Sequence, residues 1–303
     1  MDVVDANKLP IYDDDHPTKA LRQRYLFEGT DNTRENYMFS IAETIGHFTM
    51  PRHRHNFDQF RFSLSGGMSI DPDRRLKEGQ LAYFPEGSAY GPQDDQAGPI
   101  ALVLQFGGAS GYGYMSMGQY RAGRESLRGK GRFDGAVFIR DEGQPTQRKK
   151  FSINAIWEES LGEPMRIPTS RYDRPFFMNP AAYRWVPQKA KGTYRKALGT
   201  FSERETVAEM WRIDAGATLS IPAEDSIRLM LVLDGEGTAG GEKIGKEFGI
   251  RLNPGESGDI SAERELAILG FRLPTLTEGW SEPEEPSFEP VPDESVGRDP
   301  VDH

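Results

Sequence analysis

Short runs of alternating apolar and polar residues, separated by turn residues, dominate the first third of the chain. Four such runs lie at 36–44, 59–67, 80–87 and 99–108, with glycine, proline and aspartate between them. A period of two places successive side chains on opposite faces of a strand, and short strands at this spacing are typical of barrels and sandwiches. The pattern predicts an all-β domain.

The same alternation of apolar and polar residues returns in the second half of the chain. Its runs follow the order and lengths of the first set, at 196–204, 206–216, 226–237, 248–258 and 266–274. We interpret this as an internal duplication. A length of 303 residues is long for one core and sufficient for two, because domains are usually roughly 100–150 residues long.

The middle of the chain has a different pattern. Residues 113–165 carry helix-forming residues, and Ile153, Ile156, Trp157 and Leu161 recur at helical spacing, which predicts a helix packed against a barrel wall. We therefore divide the chain into an N-terminal arm (1–29), a first barrel (30–110), a largely helical connector (111–175), a second barrel (176–275) and an acidic, proline-rich tail (276–303).

The acidic charge is concentrated in that tail. The segment Glu278–His303 holds nine acidic residues and one basic residue, Arg298, and so carries −8 of the net charge of −10. This composition cannot support a core, so we expect the tail to be disordered or to lie along the surface. The remaining body is nearly neutral, which makes nucleic acid an unfavourable partner.

The chain contains no cysteine, which excludes disulfides and thiolate metal ligands. A metal ion would have to be held by histidine, carboxylate, amide or phenolate groups. The N-terminal segment is acidic and polar, and no stretch approaches the ~20 apolar residues that span a bilayer. We expect a cytoplasmic protein that does not associate with membranes.

The segment from Pro51 to Gly66 carries the candidate chemistry. His53 and His55 are two residues apart, so on an extended chain they point to the same face. Gln59 and Arg61 share a face for the same reason. Two imidazoles on one face are a common beginning of a site for Zn, Fe, Mn, Ni or Cu.

This segment resembles the first sequence motif of the cupin superfamily. In that motif two histidines flank one residue, a glutamate follows after three more residues, and a glycine after a further six. His53, His55 and Gly66 match the motif, and Gln59 stands at the glutamate position. The resemblance implies two tandem cupin barrels of the double-stranded β-helix, or jelly-roll, type.

The second cupin motif is also present in altered form. Gly79, Pro85 and Gly87 match it, and Tyr90 stands where the family has its third histidine. The resemblance implies a divalent transition metal ion of unspecified identity, with the set of candidate ligands His53, His55, Gln59 and Tyr90. Arg61 departs from the family, which usually has an apolar or aromatic residue there, and its guanidinium could hold an anionic substrate through two parallel hydrogen bonds. In a catalytic role Tyr90 would donate to developing charge or shuttle a proton.

Among bicupins, this resemblance favours a metal-dependent dioxygenase or other oxidoreductase that acts on a small anionic organic substrate. A metal-dependent isomerase, cyclase or lyase uses the same groups without O₂. The loss of both the glutamate and the third histidine favours a different class, a metal-free barrel that binds a small molecule. For Arg61 the alternative to substrate binding is an internal salt bridge to Asp58 or Glu86, because a buried guanidinium is costly unless it is paired.

The second half offers no equivalent site. When Gly235 is aligned with Gly66, the positions of His53, His55 and Gln59 fall on Pro222, Glu224 and Arg228. No histidine occurs between His55 and His303, so we expect a structural second barrel without a histidine-based metal site.

The opposite face of the Gln59–Arg61 strand carries Phe60, Phe62 and Leu64. Large apolar side chains on an outer face need covering, by domain packing or by the second subunit of a homodimer.

Overall fold

The computed structural model describes residues 1–13, 19–33, 35–111, 113–143 and 148–274. The tail predicted for 276–303 lies outside the described residues. β-Strands are the predominant secondary structure of the described chain, and two α-helices lie between the strand-rich halves. The predicted all-β fold class is therefore confirmed. Within these ranges, no helix is long and apolar enough to cross a membrane.

The strands before the first α-helix are β1 (Asp2–Asp5), β2 (Leu21–Glu28), β3 (Tyr37–Thr44), β4 (Phe48–Met50), β5 (Phe57–Ser65), β6 (Met68–Asp71), β7 (Arg74–Leu76), β8 (Leu81–Phe84), β9 (Gln93–Asp95) and β10 (Ile100–Gly107). The middle of the chain contains α1 (Met117–Leu127), β11 (Gly131–Asp134), β12 (Val137–Arg140), β13 (Lys149–Phe151) and α2 (Ser152–Leu161). The remaining strands are β14 (Phe176–Met178), β15 (Val186–Pro187), β16 (Thr193–Phe201), β17 (Thr206–Ile213), β18 (Thr218–Ile221), β19 (Arg228–Ala239), β20 (Glu242–Gly245), β21 (Phe248–Leu252) and β22 (Gly258–Arg272).

The first barrel is built on a six-stranded antiparallel sheet with the order β14–β8–β5–β10–β3–β2. Two short ribbons, β4–β9 and β6–β7, complete it. A core lies between the sheet and the β6–β7 ribbon, with Ala82, Phe84 and Val103 from the sheet and Ile70 and Leu76 from the ribbon. The sheet thus has an inner face, toward this core, and an outer face.

The second barrel is built on a nine-stranded sheet with the order β1–β21–β19–β22–β17–β16–β15, in which β18 pairs with β22 and β20 pairs with β19. The long strands β19 and β22 pair through several register shifts, which let a strand bend and close a barrel. The interior is filled by aliphatic side chains, among them Ile221, Val232, Ile250 and Ile268.

Three segments cross the domain limits expected from the sequence. β1, from the expected N-terminal arm, pairs with β21 of the second barrel, and β2 pairs with β3 of the first. β14, expected in the second barrel, pairs with β8 of the first. These pairings are long-range in sequence, so local pattern does not reveal them. The division of the chain into five segments stays a prediction.

The connector contains two α-helices and a small sheet. Strands β11, β12 and β13 form this three-stranded sheet, which the sequence pattern did not predict for a largely helical connector. The apolar stripe on α2 faces a separate core, in which Ile156 and Trp157 are buried and Ile153 and Leu161 pack at the margin. Helix α1 begins at a capping box formed by Ser116 and Gln119.

The outer face of the first sheet packs on the second barrel. On β5, Phe60 and Phe62 join a core shared with Phe201 and Phe271 of the second barrel, and Leu64 packs against it. The Phe60 ring lies 5.3 Å from that of Phe201 and 5.1 Å from that of Phe271. The apolar face that needed covering is therefore covered within the chain. The homodimer stays a prediction, without support from this face.

One ion-pair network links both barrels to the connector. Arg171 Nη1 donates to Glu86 Oε1 of the first barrel at 2.7 Å, and Arg171 Nε donates to Glu203 Oε2 in the β16–β17 turn at 2.8 Å. Glu86 is 2% exposed and also accepts from Ser110. This network holds the end of the connector against both barrels.

Replacing Phe60 with alanine should destabilise the whole molecule, because this ring lies between the two barrels and is 1% exposed. We expect a loss of about 3–5 kcal/mol in the free energy of unfolding, measured by urea denaturation. Phe176→Ala is the matched control, since Phe176 is 40% exposed and should cost less than about 1 kcal/mol. Equal losses in the two variants would show that the interface between the barrels adds little to stability.

Candidate functional site

Backbone hydrogen bonds bring the two motif segments together. His53 N donates to Tyr90 O at 3.0 Å, and Tyr90 N donates to His53 O at the same distance. Gly87 N donates to His55 O at 2.7 Å. Gly87 has a φ of +76°, and a Cβ there would lie 2.3 Å from the carbonyl oxygen of Pro168, so glycine is required on both counts.

The sheet places Gln59 and Arg61 on its inner face, as strand alternation predicts. Gln59 lies opposite Gln105 of β10 and Phe84 of β8, and Arg61 lies opposite Val103 and Ala82 on the same two strands. The Arg61 guanidinium therefore points into the first barrel.

The Tyr90 hydroxyl is the centre of the cluster. It accepts from Arg61 Nη2 at 3.0 Å, lies 2.8 Å from His55 Nε2, and lies 3.4 Å from the Gln59 amide. Because the guanidinium can only donate, the hydroxyl hydrogen is free to donate to His55 Nε2. With the hydrogen so placed, the His55 proton lies on Nδ1, a buried atom for which the described residues provide no partner.

Gln59 holds Arg61 from a second side. With the amide oxygen turned toward the guanidinium, Gln59 Oε1 accepts from Arg61 Nε and Nη2, each at 3.2 Å. The opposite orientation would set amide hydrogens against guanidinium hydrogens, so we adopt this one. The Gln59 amide also lies 2.8 Å from that of Gln105.

The two imidazoles lie beside each other. Their ring centroids are 4.9 Å apart, and the His53 ring lies 4.4 Å from that of Tyr90. His53 Nδ1 donates to the carbonyl oxygen of Pro51 at 2.7 Å, which leaves Nε2 as the unprotonated nitrogen. The Arg61 guanidinium lies 4.8 Å from the centroid of the Phe84 ring.

Burial keeps these groups in their neutral forms. Burial lowers the pKa of His53 to about 4, opposed by the hydrogen bond to Pro51 and helped by the charge of Arg61. Burial, with the charges of His53 and Arg61, lowers the pKa of His55 well below its usual value. Burial also raises the pKa of Tyr90, against the effect of Arg61. At neutral pH the cluster therefore holds two neutral imidazoles and a protonated phenol.

Arg61 has no carboxylate partner in the part of the chain that the structure describes. The internal salt bridge to Asp58 or Glu86 does not form. Asp58 lies on β5 between Phe57 and Gln59, where Asp58 Oδ1 accepts from the backbone N–H of Glu86, and Glu86 pairs with Arg171. Arg61 thus forms no ion pair with a carboxylate of the described residues, and Asp95, which also lines the cavity, is paired with Arg75.

A cavity of about 150 Å³ lies inside the first barrel and is bounded by this cluster. Besides Gln59, three further glutamines line it: Gln23, Gln93 and Gln105. Gln93 Oε1 is 3.5 Å from Arg61 Nη1, at the limit of a hydrogen bond. Met50 and Gln93 also line a wider groove of about 460 Å³ outside it.

Sequence reasoning did not identify Gln23, Gln93 and Gln105. Gln105 could have been found, because it alternates with Leu102 and Leu104 on a strand whose opposite face is apolar. Nothing in the local pattern singles out Gln23 or Gln93, which reach the cavity only through the pairing of β2 with β3 and of β9 with β4.

With Arg61 in place, the candidate ligand set does not fit a divalent transition metal ion. Throughout the described ranges, no group of three histidine, cysteine or acidic residues is placed to hold one. His53, His55, Gln59 and Tyr90 are all neutral, and a phenol binds metals well only as phenolate. His55 and Tyr90 are bonded to each other, and a guanidinium contacts both Gln59 and Tyr90.

The second barrel has no comparable polar cluster among its described residues. The positions equivalent to His55 and Gln59 are Glu224 and Arg228, which form an ion pair with each other, and Glu224 also pairs with Arg272. The interior is aliphatic throughout.

No protein-family model matches the sequence, and no curated protein matches it either. The fold, in contrast, is similar to that of a putative dioxygenase from Nostoc punctiforme PCC 73102, with a TM-score of 0.53 over 91% of this chain and 83% of that chain at 9% identity. It is also similar to vicilin from Corylus avellana (hazelnut), with a TM-score of 0.50, 14% identity and coverage of 89% and 85%.

A third similar structure is oxalate decarboxylase from Bacillus subtilis, with a TM-score of 0.51, 11% identity and coverage of 90% of this chain and 76% of that one. These neighbours are cupins. At such low identity the likeness shows the fold alone. The chain therefore has the tandem two-barrel fold of the bicupins, as the motifs predicted.

Replacing Tyr90 with phenylalanine should destabilise the protein, because it leaves Arg61 Nη2 and His55 Nε2 without their partner in a buried site. We expect a loss of about 1–3 kcal/mol in the free energy of unfolding, measured by urea denaturation. Tyr12→Phe, at a position 38% exposed, is the control and should change stability by less than about 0.5 kcal/mol. A Tyr90→Phe variant as stable as wild type would contradict the central position of this hydroxyl.

Proposed function

We propose that the first barrel binds a small organic anion through Arg61. The observation that carries this proposal is a guanidinium at a cavity wall, in contact with neutral groups and without a carboxylate partner among the described residues. Arg61 is half-buried, and a positive charge withdrawn from water in this way is costly unless an anion compensates it. A carboxylate or enolate meets this need well, because arginine binds planar oxyanions through two parallel hydrogen bonds.

The contacts of Arg61 leave room for such a ligand. Nη2 and Nε are held by Tyr90 and Gln59, whereas Nη1 has only the long contact to Gln93. A ligand oxygen can therefore replace the Gln93 amide at Nη1. The cavity of about 150 Å³ limits the buried part of the ligand to a few non-hydrogen atoms, since liquid water takes about 30 Å³ per molecule.

We further propose that the protein is an enzyme acting on this anion. The fold is that of a putative dioxygenase and of an oxalate decarboxylase, and the latter is named for a small carboxylate. Tyr90 and His55 form a neutral donor–acceptor pair beside Arg61, which suits them to hold or move a proton next to a bound anion. This supports acid–base chemistry such as isomerisation, cyclisation or lysis.

A metal-dependent dioxygenase is the second candidate. The pair of imidazoles, with ring centroids 4.9 Å apart, is the observation that favours it. It requires stoichiometric metal bound through His53 and His55. Elemental analysis of wild type and of the double variant His53→Ala/His55→Ala tests this candidate. A metal-dependent dioxygenase requires one metal ion per wild-type chain and none in the variant.

Anion binding can be tested with acetate, oxalate, pyruvate and benzoate in ligand-observed NMR titrations. At least one of the four should bind wild type, and Arg61→Leu should weaken that binding by about 10-fold to 100-fold, because charge-assisted hydrogen bonds are lost. Arg61→Lys should lie between the two, since it keeps the charge and loses the planar fork. Arg52→Leu, close to the site but bonded to the carbonyl oxygen of Gly91, is the matched control.

Binding of the anions by Arg61→Leu as tight as by wild type would contradict the proposal, as would a wild type that binds none of them. A loss of stability in Arg61→Leu with anion binding intact would instead give Arg61 a purely structural role.

A further inference from the structure

The Arg61 guanidinium lies among the four side chains that the cupin motifs align as metal ligands. It contacts Gln59 at 3.2 Å and Tyr90 at 3.0 Å, and Tyr90 in turn lies 2.8 Å from His55. A cation is therefore already present in this cluster, as part of the polypeptide.

A glutamine at position 59 is compatible with the Arg61 guanidinium inside the cluster. An amide oxygen can accept two hydrogen bonds from Arg61 without cancelling its charge. A carboxylate at the same place would form an ion pair with Arg61 and neutralise it. The glutamine thus preserves a net positive charge at the cavity, whereas a metal centre gains from a carboxylate ligand that offsets the charge of the ion.

We propose that the Arg61 guanidinium takes the place of the metal ion in this barrel, so that the site works without a metal and becomes a metal site only when Arg61 is removed. The inference deepens the proposed function and rests on it, since it names a protein side chain as the fixed positive charge that attracts the anion. It predicts a latent ligand set, His53, His55, Gln59 and Tyr90, that like-charge repulsion by Arg61 keeps empty.

The test is the gain of metal binding on removal of the guanidinium. Wild type, Arg61→Met, Arg61→Lys and the double variant Arg61→Met/Gln59→Glu are titrated with Co²⁺, and the visible absorption of bound Co²⁺ is recorded. Zinc content after dialysis against Zn²⁺ gives an independent stoichiometry. Arg52→Met controls for the loss of a nearby positive charge outside the cluster.

We expect wild type, Arg61→Lys and Arg52→Met to bind Co²⁺ weakly and non-stoichiometrically. Arg61→Met should bind Co²⁺ at least about tenfold more tightly than wild type, and the double variant should bind one ion per chain. Adding His53→Ala and His55→Ala to the double variant should abolish this binding. Thermal melts establish that each variant is folded, and Arg61→Gln substitutes for Arg61→Met if the latter does not fold.

One tightly held metal ion per wild-type chain would overturn the inference. So would a folded double variant that gains no metal binding, because the ligand set would then be unable to hold an ion even without Arg61. The proposed function is tested separately by carboxylate binding to wild type. If metal binding appears in the variants but wild type binds no carboxylate, the anion site is wrong and the exclusion of metal by Arg61 is retained.

Discussion

The alternation of side chains along β5 is the constraint on which the rest of the structure depends. This strand carries Gln59 and Arg61 on its inner face. Its outer face carries Phe60 and Phe62. The phenylalanines bury themselves against the second barrel, which fixes the orientation of the strand. Turning the strand over would expose the aromatic rings and drive Arg61 into an apolar interface, both at high cost. The packing of the two barrels therefore holds Arg61 inside the first.

The second consequence of this arrangement is electrostatic. Because Arg61 cannot lose its proton, the groups around it must be neutral or negative, and those present are neutral imidazoles, amides and a phenol. Tyr90 joins them through a single hydroxyl that accepts from Arg61 and donates to His55. Most polar groups of the cluster are thus paired with one another, while Arg61 forms no ion pair with a carboxylate among the described residues. This unpaired guanidinium distinguishes the cavity from an inert polar core.

The second barrel contributes to the site from a distance. Its core is mainly aliphatic, and its outer face supplies Phe201 and Phe271, which cover the back of the β5 strand. Arg171 adds a polar link, because it bonds both Glu86, four residues before Tyr90, and Glu203 of the second barrel. The second barrel therefore contacts the first both through apolar packing on the strand that carries Arg61 and through the Arg171 ion pairs.

The sequence alone determined the all-β class, the duplication, the absence of histidine ligands in the second half, and the pairwise orientation of His53 with His55 and of Gln59 with Arg61. These features depend on composition or on a period of two, which act within one segment. Only the tertiary structure decided that Arg61 lacks a carboxylate, that Tyr90 bonds His55, and that Gln23, Gln93 and Gln105 reach the cavity. It also decided that β1 joins the sheet of the second barrel and that β14 joins the sheet of the first. The physical reason is that distances between side chains are set by the register of strands far apart in sequence, which the pattern of a single strand does not encode.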